Sequence, residues 1–283
     1  MPNQKIRYIS ATLQTTSIHP SAIISPAAVI GQNVKIGPFT VIDGPASIGD
    51  DVNIDGHVLI RGRCTIGARS QIGWGSVIGA DPQDLGFDPQ TDSGVILGEN
   101  NRLREYVTIH RATVPNANTI IGNDNFIMTG VHLGHDVVMG SHNILANNIL
   151  VAGHVVFGDR CVVGGASVFH QFVRIGDYAM VQGMSGLSLD VPPYCLAYEI
   201  NRLASLNAIG LKRGGFSPEQ RSEIKEAFRL LLNGGNREAA LKEAETRTWG
   251  AAAALLVEAV RHPSKKGILT CVRHPEPPAT NNR

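Results

Sequence analysis

The middle of the chain is dense in side chains that can move protons. The segment TGVHLGHDVVMG places His135 directly before Asp136, and AGHVVFG places Gly153 directly before His154. An imidazole can take a proton from a hydroxyl, a neighbouring carboxylate can fix its tautomer, and a backbone N–H can stabilise an oxyanion. This combination favours acyl transfer, and the polar residues that could position a substrate beside it are His132, His154, His170 and Gln171.

These residues can meet only if the chain stacks segments that are 18 residues apart, and a six-residue period predicts that it does. Isoleucine occupies every sixth position from Ile18 to Ile78, and an aliphatic or aromatic residue keeps the same phase from Ile121 to Leu187. A period of six fits neither a helix nor a single alternating strand. It indicates short extended faces joined by corners, with three faces to a coil, parallel sheets and inner aliphatic columns.

An 18-residue coil aligns the candidate residues in columns. Gly153 follows His135 by one coil, Gln171 follows Gly153 by one coil, and His154 follows Asp136 by one coil. A single histidine on an outer face is more often a solvated surface residue than a catalyst. The aligned set favours a functional site.

The chain divides into a lead-in at 1–17, the coil at 18–190, a helical region at 191–272 and a tail at 273–283 that we expect to be disordered. Stretches near 79–95 and 111–119 break the repeat, and we expect them to be loops that carry binding function. VPPYC at 191–195 is predicted to end the coil, because proline cannot donate to a strand ladder. Helices are predicted over 201–212, 217–233, 237–247 and 249–261.

Composition narrows the class of protein. The formal net charge is +1, which gives no reason to expect nucleic-acid binding or attraction to a membrane surface. The chain has no apolar run long enough to span a membrane, and its first residues lack the apolar centre of a secretory signal. The four cysteines have no metal-ligand spacing, and Cys64 takes an inner position of the coil. We therefore expect a cytoplasmic protein with buried thiols.

Nine stretches of this sequence resemble the UDP-N-acetylglucosamine acyltransferases of lipid A biosynthesis: PQDL, NNRLREYVTIHR, IGNDNFIM, HLGHD, ILANN, LVAGHV, GGASVFHQF, DVPPY and GLKR. The resemblance covers most of the chain. It implies an all-β left-handed parallel β-helix of hexapeptide repeats followed by a small α-helical C-terminal domain. It also implies transfer of a 3-hydroxyacyl group from acyl carrier protein to the 3-hydroxyl of UDP-N-acetylglucosamine, in a homotrimer with active sites between subunits and no metal or cofactor.

The resemblance also implies residue roles. His135 would be the general base, Asp136 would orient it, and the N–H of Gly153 would form the oxyanion hole. The residues expected to contact the sugar, the diphosphate, the acyl group or the uridine are Asp84, His132, His154, His170, Gln171, Gly183, Asn207 and Arg213, with Gly183 at the position that limits acyl-chain length. Basic residues that could steer the acidic carrier protein are Arg111, Arg174, Arg202 and Lys212.

The sequence departs from the family pattern chiefly at the nucleotide end. Gly86 stands where the family usually has lysine, and Ile200 where it usually has glycine. Ile209 and Gly214 replace polar residues beside the expected nucleotide site, whereas HLGHD differs only mildly from the usual pattern. The reaction class is therefore better supported by the sequence than the identity of the sugar nucleotide.

Three alternatives stay open at the level of sequence. The acceptor could be a 3-amino sugar nucleotide, which would give an amide product, although the related N-acyltransferases carry an additional N-terminal domain for which the coil start at residue 18 leaves no room. His132, His135 and His154 could bind zinc, as in carbonic anhydrases built on hexapeptide coils, although the histidine spacing differs. A non-catalytic scaffold is the third, but a scaffold needs neither the His135–Asp136 pair nor the loop at 79–95.

Overall fold

The described backbone is a three-sided coil followed by four helices. A computed structural model describes residues 15–233 and 235–271. Most of the lead-in predicted at 1–17 and the whole of the tail predicted at 273–283 lie outside these residues. Three parallel sheets run along the coil, one on each side, and the predicted left-handed β-helix with a small helical C-terminal part is confirmed.

The three sheets are called faces A, B and C. Face A contains β1 (Ser17–Ile18), β4 (Lys35–Ile36), β7 (Asn53–Ile54), β10 (Gln71–Ile72), β13 (Arg102–Leu103), β16 (Phe126–Ile127), β19 (Ile144–Leu145), β22 (Val162–Val163), β25 (Met180–Val181), β27 (Cys195–Tyr198) and β28 (Arg202–Leu206). Face B contains β2 (Ile23–Ile24), β5 (Val41–Asp43), β8 (Leu59–Arg61), β11 (Val77–Ala80), β14 (Thr108–His110), β17 (His132–Leu133), β20 (Leu150–Val151), β23 (Val168–Phe169) and β26 (Gly186–Leu187). Face C contains β3 (Val29–Ile30), β6 (Ser47–Ile48), β9 (Arg63–Ile66), β12 (Gly94–Leu97), β15 (Asn118–Ile121), β18 (Val138–Met139), β21 (Val156–Phe157) and β24 (Arg174–Ile175).

The residues that repeat every six positions form the core. In successive coils His132 pairs with Leu150 and Leu133 with Val151, which is the 18-residue register. The repeating residues are buried from the second coil onward, and so are the small or β-branched residues two positions before them, including Cys64. The side chains therefore stack in continuous inner columns, and aliphatic burial along the coil axis holds the prism together.

One corner conformation recurs along each edge. Asp136, His154 and Phe172 stand one above the next at φ values of 57°, 59° and 69°. Left-handed backbone costs an L-residue roughly 1–2 kcal/mol. The coil imposes this conformation at its corners, and here the corner side chains are those of the candidate site.

The C-terminal region differs from the prediction in its first part. A helix was expected from residue 201, but β27 continues face A beyond VPPYC and β28 pairs with it in antiparallel fashion. The coil sheet offers unpaired backbone groups at its end, and a strand pair uses them while burying Leu203. The expectation that VPPYC ends the strand ladder is therefore wrong for face A.

The helices that follow are α1 (Ala208–Arg213), α2 (Pro218–Leu232), α3 (Arg237–Glu245) and α4 (Ala251–Arg261). The start predicted for α2 is confirmed, with Ser217 and Gln220 forming a reciprocal capping box and proline in the first turn. The apolar sides of α2 and α4 pack together in the core. Among the described residues, no helix has the length and apolar character needed to cross a membrane.

Candidate active site

The candidate catalytic residues lie along one edge of the prism, where face B turns into face C. This B–C edge contains the corners at 134–137, 152–155 and 170–173. The two loops that interrupt the repeat leave the same edge, at 81–93 between β11 and β12 and at 111–117 between β14 and β15. The loops are slightly shorter than the excursions predicted near 79–95 and 111–119. Both lie on the same edge as the candidate site, in the coils that precede it.

His135 and Asp136 form a hydrogen-bonded pair. The Nδ1 atom of His135 is 2.8 Å from Oδ2 of Asp136, and each side chain is only 12% exposed. With Nδ1 donating to the carboxylate, the Nε2 atom of His135 is left free to accept a proton. This is the arrangement of a general base held by a carboxylate.

The carboxylate of Asp136 is held by a third residue that sequence reasoning missed. The hydroxyl of Thr113 donates to Oδ2 of Asp136 at 2.6 Å, and the Thr113 N–H lies 3.1 Å from the same oxygen. Burial by itself raises the pKa of Asp136, but hydrogen bonds from Thr113 and His135 favour the ionised form, so that the pKa lies below its usual value. The base is therefore paired with a carboxylate that stays charged.

Gly153 lies directly under the imidazole of His135. A Cβ atom at Gly153 would come within 2.3 Å of Cε1 and 2.5 Å of Nε2 of His135, so that any side chain would displace the ring. Gly153 is buried beneath this ring, and within the described residues its N–H donates no hydrogen bond. The corner thus places a glycine with an unused backbone N–H beside the candidate base, and such an N–H can serve as an oxyanion-hole donor.

His154 extends the site along the edge. Its Nε2 atom is 3.7 Å from Oδ2 of Asp136, and its ring crosses that of His135 at 86° with centroids 5.0 Å apart. The other side of the His154 ring stacks on Phe172 at 4.7 Å, and Nζ of Lys265 lies 4.7 Å from the centre of the Phe172 ring. Burial lowers the pKa of His154 although Asp136 opposes the shift. A neutral His154 can accept or donate a hydrogen bond to a substrate.

His132 belongs to a neighbouring part of the site and has its own partners. Its Nδ1 atom is 2.7 Å from the Thr108 hydroxyl, and its ring meets the edge of His110 at 4.8 Å. Burial, then the nearby His135, lower the pKa of His132. His110 is 7% exposed, and burial followed by the charges of His132 and His135 lowers its pKa to about 4. Sequence reasoning missed His110, although it lies one strand below His132 on face B.

His170 and Gln171 lie at the next corner of the B–C edge, and both are exposed. The Nδ1 atom of His170 is 3.2 Å from the Gln171 carbonyl oxygen. Gln171 stands one coil beyond Gly153, as predicted. The structure thus brings together on one edge the residues His132, His135, Asp136, Gly153, His154, His170 and Gln171.

The side-chain atoms that could bind a metal favour a hydrogen-bonded site over a zinc site. Within the described residues, the three groups whose ligand atoms fall within 4.8 Å of one another are those of His135, Asp136 and His154. The set His132, His135 and His154 considered from the sequence is not formed. Oδ2 of Asp136 already accepts from Thr113 at 2.6 Å and from His135 at 2.8 Å, so that protein donors use the lone pairs of this oxygen.

Other predicted site residues lie on different edges of the same chain. Asn207 and Arg213 are at the C–A edge, where the Asn207 amide donates to the Tyr178 carbonyl at 2.9 Å and its oxygen caps α1. Gly183 is at the A–B edge, above Gly165. One chain therefore does not bring these residues to the His135–Asp136 pair.

Asp84 is exposed in the 81–93 loop, where its carboxylate accepts the Gly86 N–H at 2.9 Å. Of the residues that depart from the family pattern, Ile200 and Ile209 are 77% and 68% exposed. Both isoleucines therefore stand on the surface, where a partner or substrate would meet them.

Arg111 does not point outward to steer a partner, contrary to our expectation. Its side chain is 11% exposed and pairs with Asp81 at 2.9 Å. The guanidinium also donates to the carbonyl oxygens of Thr91 and Pro89 and lies 4.8 Å from the centre of the Phe87 ring. Arg111 therefore fixes the 81–93 loop. Arg174 and Arg202 are likewise paired, with Asp190 and Glu199.

A β-helix with a histidine–aspartate pair facing a glycine of the next coil defines the class of hexapeptide-repeat acyltransferases. Residues 190–269 match the family model described as UDP N-acetylglucosamine O-acyltransferase, domain 2. An acyl-[acyl-carrier-protein]–UDP-N-acetylglucosamine O-acyltransferase from Burkholderia lata is 45% identical over 78% of this chain and 84% of its own length. The corresponding protein of Sulfurovum sp. is 47% identical over 78% of this chain and 85% of its own length.

Solved structures of the same family are also similar to this chain. A UDP-N-acetylglucosamine acyltransferase from Bacteroides fragilis is 38% identical, with a TM-score of 0.83 over 89% of this chain and 99% of that one. The enzyme of that name from Campylobacter jejuni is 33% identical, with a TM-score of 0.83 over 90% of this chain and 99% of that one. This chain belongs to the family of acyl-[acyl-carrier-protein]–UDP-N-acetylglucosamine O-acyltransferases.

Proposed function

We propose that this protein transfers a 3-hydroxyacyl group from acyl carrier protein to the 3-hydroxyl of UDP-N-acetylglucosamine, as the first step of lipid A biosynthesis in the cytoplasm. The observation that carries the proposal is the contact of the His135 imidazole with Asp136 on one side and with Gly153 on the other. Family membership supports the substrates, and the geometry supports the reaction.

The mechanism needs no covalent intermediate on the protein, because a thioester is already an activated acyl group. Nε2 of His135 takes the proton of the sugar hydroxyl while its oxygen attacks the thioester carbon. The Gly153 N–H stabilises the negative charge that develops on the acyl oxygen. When the C–S bond breaks, the imidazolium returns its proton to the departing sulfur. Asp136 stays ionised throughout and stabilises the imidazolium.

Active sites between the subunits of a homotrimer account for the distribution of the predicted site residues. The His135–Asp136 pair is on the B–C edge. Asn207 and Arg213 are on the C–A edge, and Gly183 is on the A–B edge. A second chain can bring another edge to the B–C edge. Large aliphatic side chains also stand exposed on all three faces of the central coils, and such surface favours contact with another chain: Ile96, Ile120, Val138, Ile144, Leu150, Val156, Val162 and Val168.

A basic groove in the C-terminal region is suited to the acidic carrier protein. The groove has a volume of about 670 Å³, and Leu206, Leu211 and Phe228 contribute apolar surface to it. Its cationic residues are Lys212 on α1 and Arg221, Lys225 and Arg229 on α2, and none of them forms an ion pair within residues 15–233 and 235–271. The α2 cations are four residues apart and share one side of the helix. Such a stripe attracts an acidic helix and speeds encounter.

The decisive assay offers acyl carrier proteins loaded with 3-hydroxyacyl groups of different lengths to the purified protein, with UDP-N-acetylglucosamine or its 3-amino analogue as acceptor. Mass spectrometry should find an ester on the first acceptor. Preferred formation of an amide on the analogue would identify an N-acyltransferase, and lack of product from both acceptors would refute the proposal.

The shared site is tested by co-expressing two inactive variants with different tags. His135→Ala removes the base from one edge, and Arg213→Ala alters another edge. Mixed trimers should recover part of the activity, because some clefts then combine an intact B–C edge with an intact C–A edge. Recovery should be absent when separately purified variants are mixed without subunit exchange. No recovery in isolated mixed trimers would place both residues in a site formed by one chain.

A further inference from the structure

The loop at 111–117 contacts both the 81–93 loop and the carboxylate of Asp136. At one end, Arg111 holds the 81–93 loop through Asp81, Pro89 and Thr91. Two residues later, Thr113 holds the catalytic carboxylate with both its hydroxyl and its backbone N–H. The repeat is broken here, so that this segment is not fixed by the coil register alone.

Thr113 supplies the shortest hydrogen bond that Asp136 receives. The Thr113 hydroxyl is 2.6 Å from Oδ2, compared with 2.8 Å for Nδ1 of His135 and 3.7 Å for Nε2 of His154. The backbone N–H of Thr113 reaches Oδ1 and Oδ2 at 3.2 and 3.1 Å. The backbone N–H of Asp136 in turn donates to the Thr119 hydroxyl at 2.9 Å, so that the 111–117 loop holds the side chain of this aspartate and β15 holds its backbone.

We propose that Thr113 is a positioning residue of the acyl transfer: its hydroxyl orients the Asp136 carboxylate toward His135, and the Arg111–Thr113 segment couples the 81–93 loop to the base. The inference rests on the proposed function, since it assigns Thr113 a part in that same reaction. In the site, the hydrogen bonds of Thr113 go to Asp136, so it acts through this carboxylate.

The Thr113 hydroxyl can orient Asp136 because the direction of this carboxylate depends on which donors bind it. Asp136 sits at a left-handed corner with φ of 57°, so its backbone is fixed and its side chain direction is set by its hydrogen bonds. Without the Thr113 hydroxyl, Oδ2 keeps only the hydrogen bond with His135 and the weak backbone contact. The carboxylate can then rotate toward His154, and His135 loses the acceptor that keeps its proton on Nδ1.

The test compares Thr113→Val with Thr113→Ser. Valine keeps the shape and the backbone N–H and removes only the hydroxyl, while serine restores it. With Thr113→Val we expect kcat to fall about tenfold with KM for both substrates unchanged, since orientation of the base acts on the chemical step. The acidic limb of the kcat profile should shift as well, because Asp136 loses a donor to its ionised form and its interaction with the base His135 changes. Thr113→Ser should restore the parent behaviour in both measurements.

Val114→Thr is the matched control, because Val114 is an exposed residue of the same loop at 54% exposure. It should leave kcat and the pH profile unchanged. NMR titration of the labelled Asp136 carboxyl gives a readout that does not depend on turnover, and its midpoint should rise in Thr113→Val. Parent-like kinetics and titration in Thr113→Val, or equal losses in the Val and Ser variants, would overturn the inference.

The coupling is tested with Arg111→Met, which releases the 81–93 loop while leaving Thr113 in place. It should lower kcat through Thr113 and also raise KM for the sugar nucleotide, whereas Thr113→Val changes kcat alone. A parent-like kcat in Arg111→Met would refute the coupling. If the parent protein itself transfers no acyl group, the proposed function fails, and the NMR titration still decides whether Thr113 holds Asp136.

Discussion

Replacing Gly153 by alanine tests the central contact of the site with a single methyl group. The new Cβ would lie 2.3 Å from Cε1 and 2.5 Å from Nε2 of His135. Carbon atoms approach one another no closer than about 3.5 Å without repulsion. The imidazole must therefore move by roughly 1 Å, because the methyl group is attached to a corner that the stacked coils hold in place.

A displacement of this size lowers the catalytic rate strongly but has little effect on the stability of the fold. A misplacement of about 1 Å can cost about 100-fold in rate, which corresponds to about 2.7 kcal/mol of transition-state stabilisation. Gly153 does not have a left-handed φ, so that alanine is compatible with its backbone. We therefore expect kcat to fall by about 100-fold with a melting temperature within a few degrees of the parent.

The assay is steady-state acyl transfer with thermal unfolding measured on the same samples. Gly186→Ala is the control, since its Cβ would meet only Val168 and Ile200, at ordinary contact distances of 3.7 and 3.9 Å. This control should keep near-parent activity. Activity of Gly153→Ala within threefold of the parent would show that the imidazole does not need its place above residue 153, and the oxyanion-hole assignment would lose its geometric basis.

Two further predictions concern acid stability and the carrier protein. Burial lowers the pKa of His110 to about 4, so between about pH 6.5 and 4 the unfolded chain binds a proton that the folded chain does not. Stability should fall as the pH drops through this window, by up to about 3 kcal/mol per chain, and the melting temperature of His110→Gln should depend less on pH over the same range. Changing Arg221 and Arg229 to glutamate should raise KM for the acyl carrier protein about tenfold or more at low salt while leaving KM for the sugar nucleotide unchanged, because the groove loses its attraction for an acidic surface. Equal sensitivity of both KM values would argue against the groove as a docking surface.

Most of the coil could be predicted because its determinants are local and repeated. From the second coil onward each isoleucine of the repeat points into one of the inner columns, and the corner after it accepts glycine, asparagine or aspartate. Once 18 residues make a coil, positions such as His135 and Gly153 follow by counting. The start of α2 was predictable for the same reason, since Ser217 and Pro218 act within one turn.

The prediction failed where the local pattern was ambiguous. Residues 202–206 belong to a stretch whose apolar spacing fits a helix, yet they form β28 because β27 offers unpaired backbone groups. Arg111 was expected to face solvent, but the 81–93 loop folds over it. In both cases the outcome depends on a partner that the six-residue period does not identify, which is β27 for β28 and the 81–93 loop for Arg111.

The sequence by itself determined the coil, its core columns and the alignment of His135, Asp136, Gly153 and His154, because a fixed period converts sequence distance into spatial distance. The tertiary structure alone decided how the pair is held, since Thr113 comes from a loop that interrupts the period. It also decided which predicted residues share an edge: His135 stands on one edge, and Gly183 and Asn207 on the other two. The physical reason is that hydrogen bonds from irregular loops depend on where a chain returns in space, which no repeat encodes.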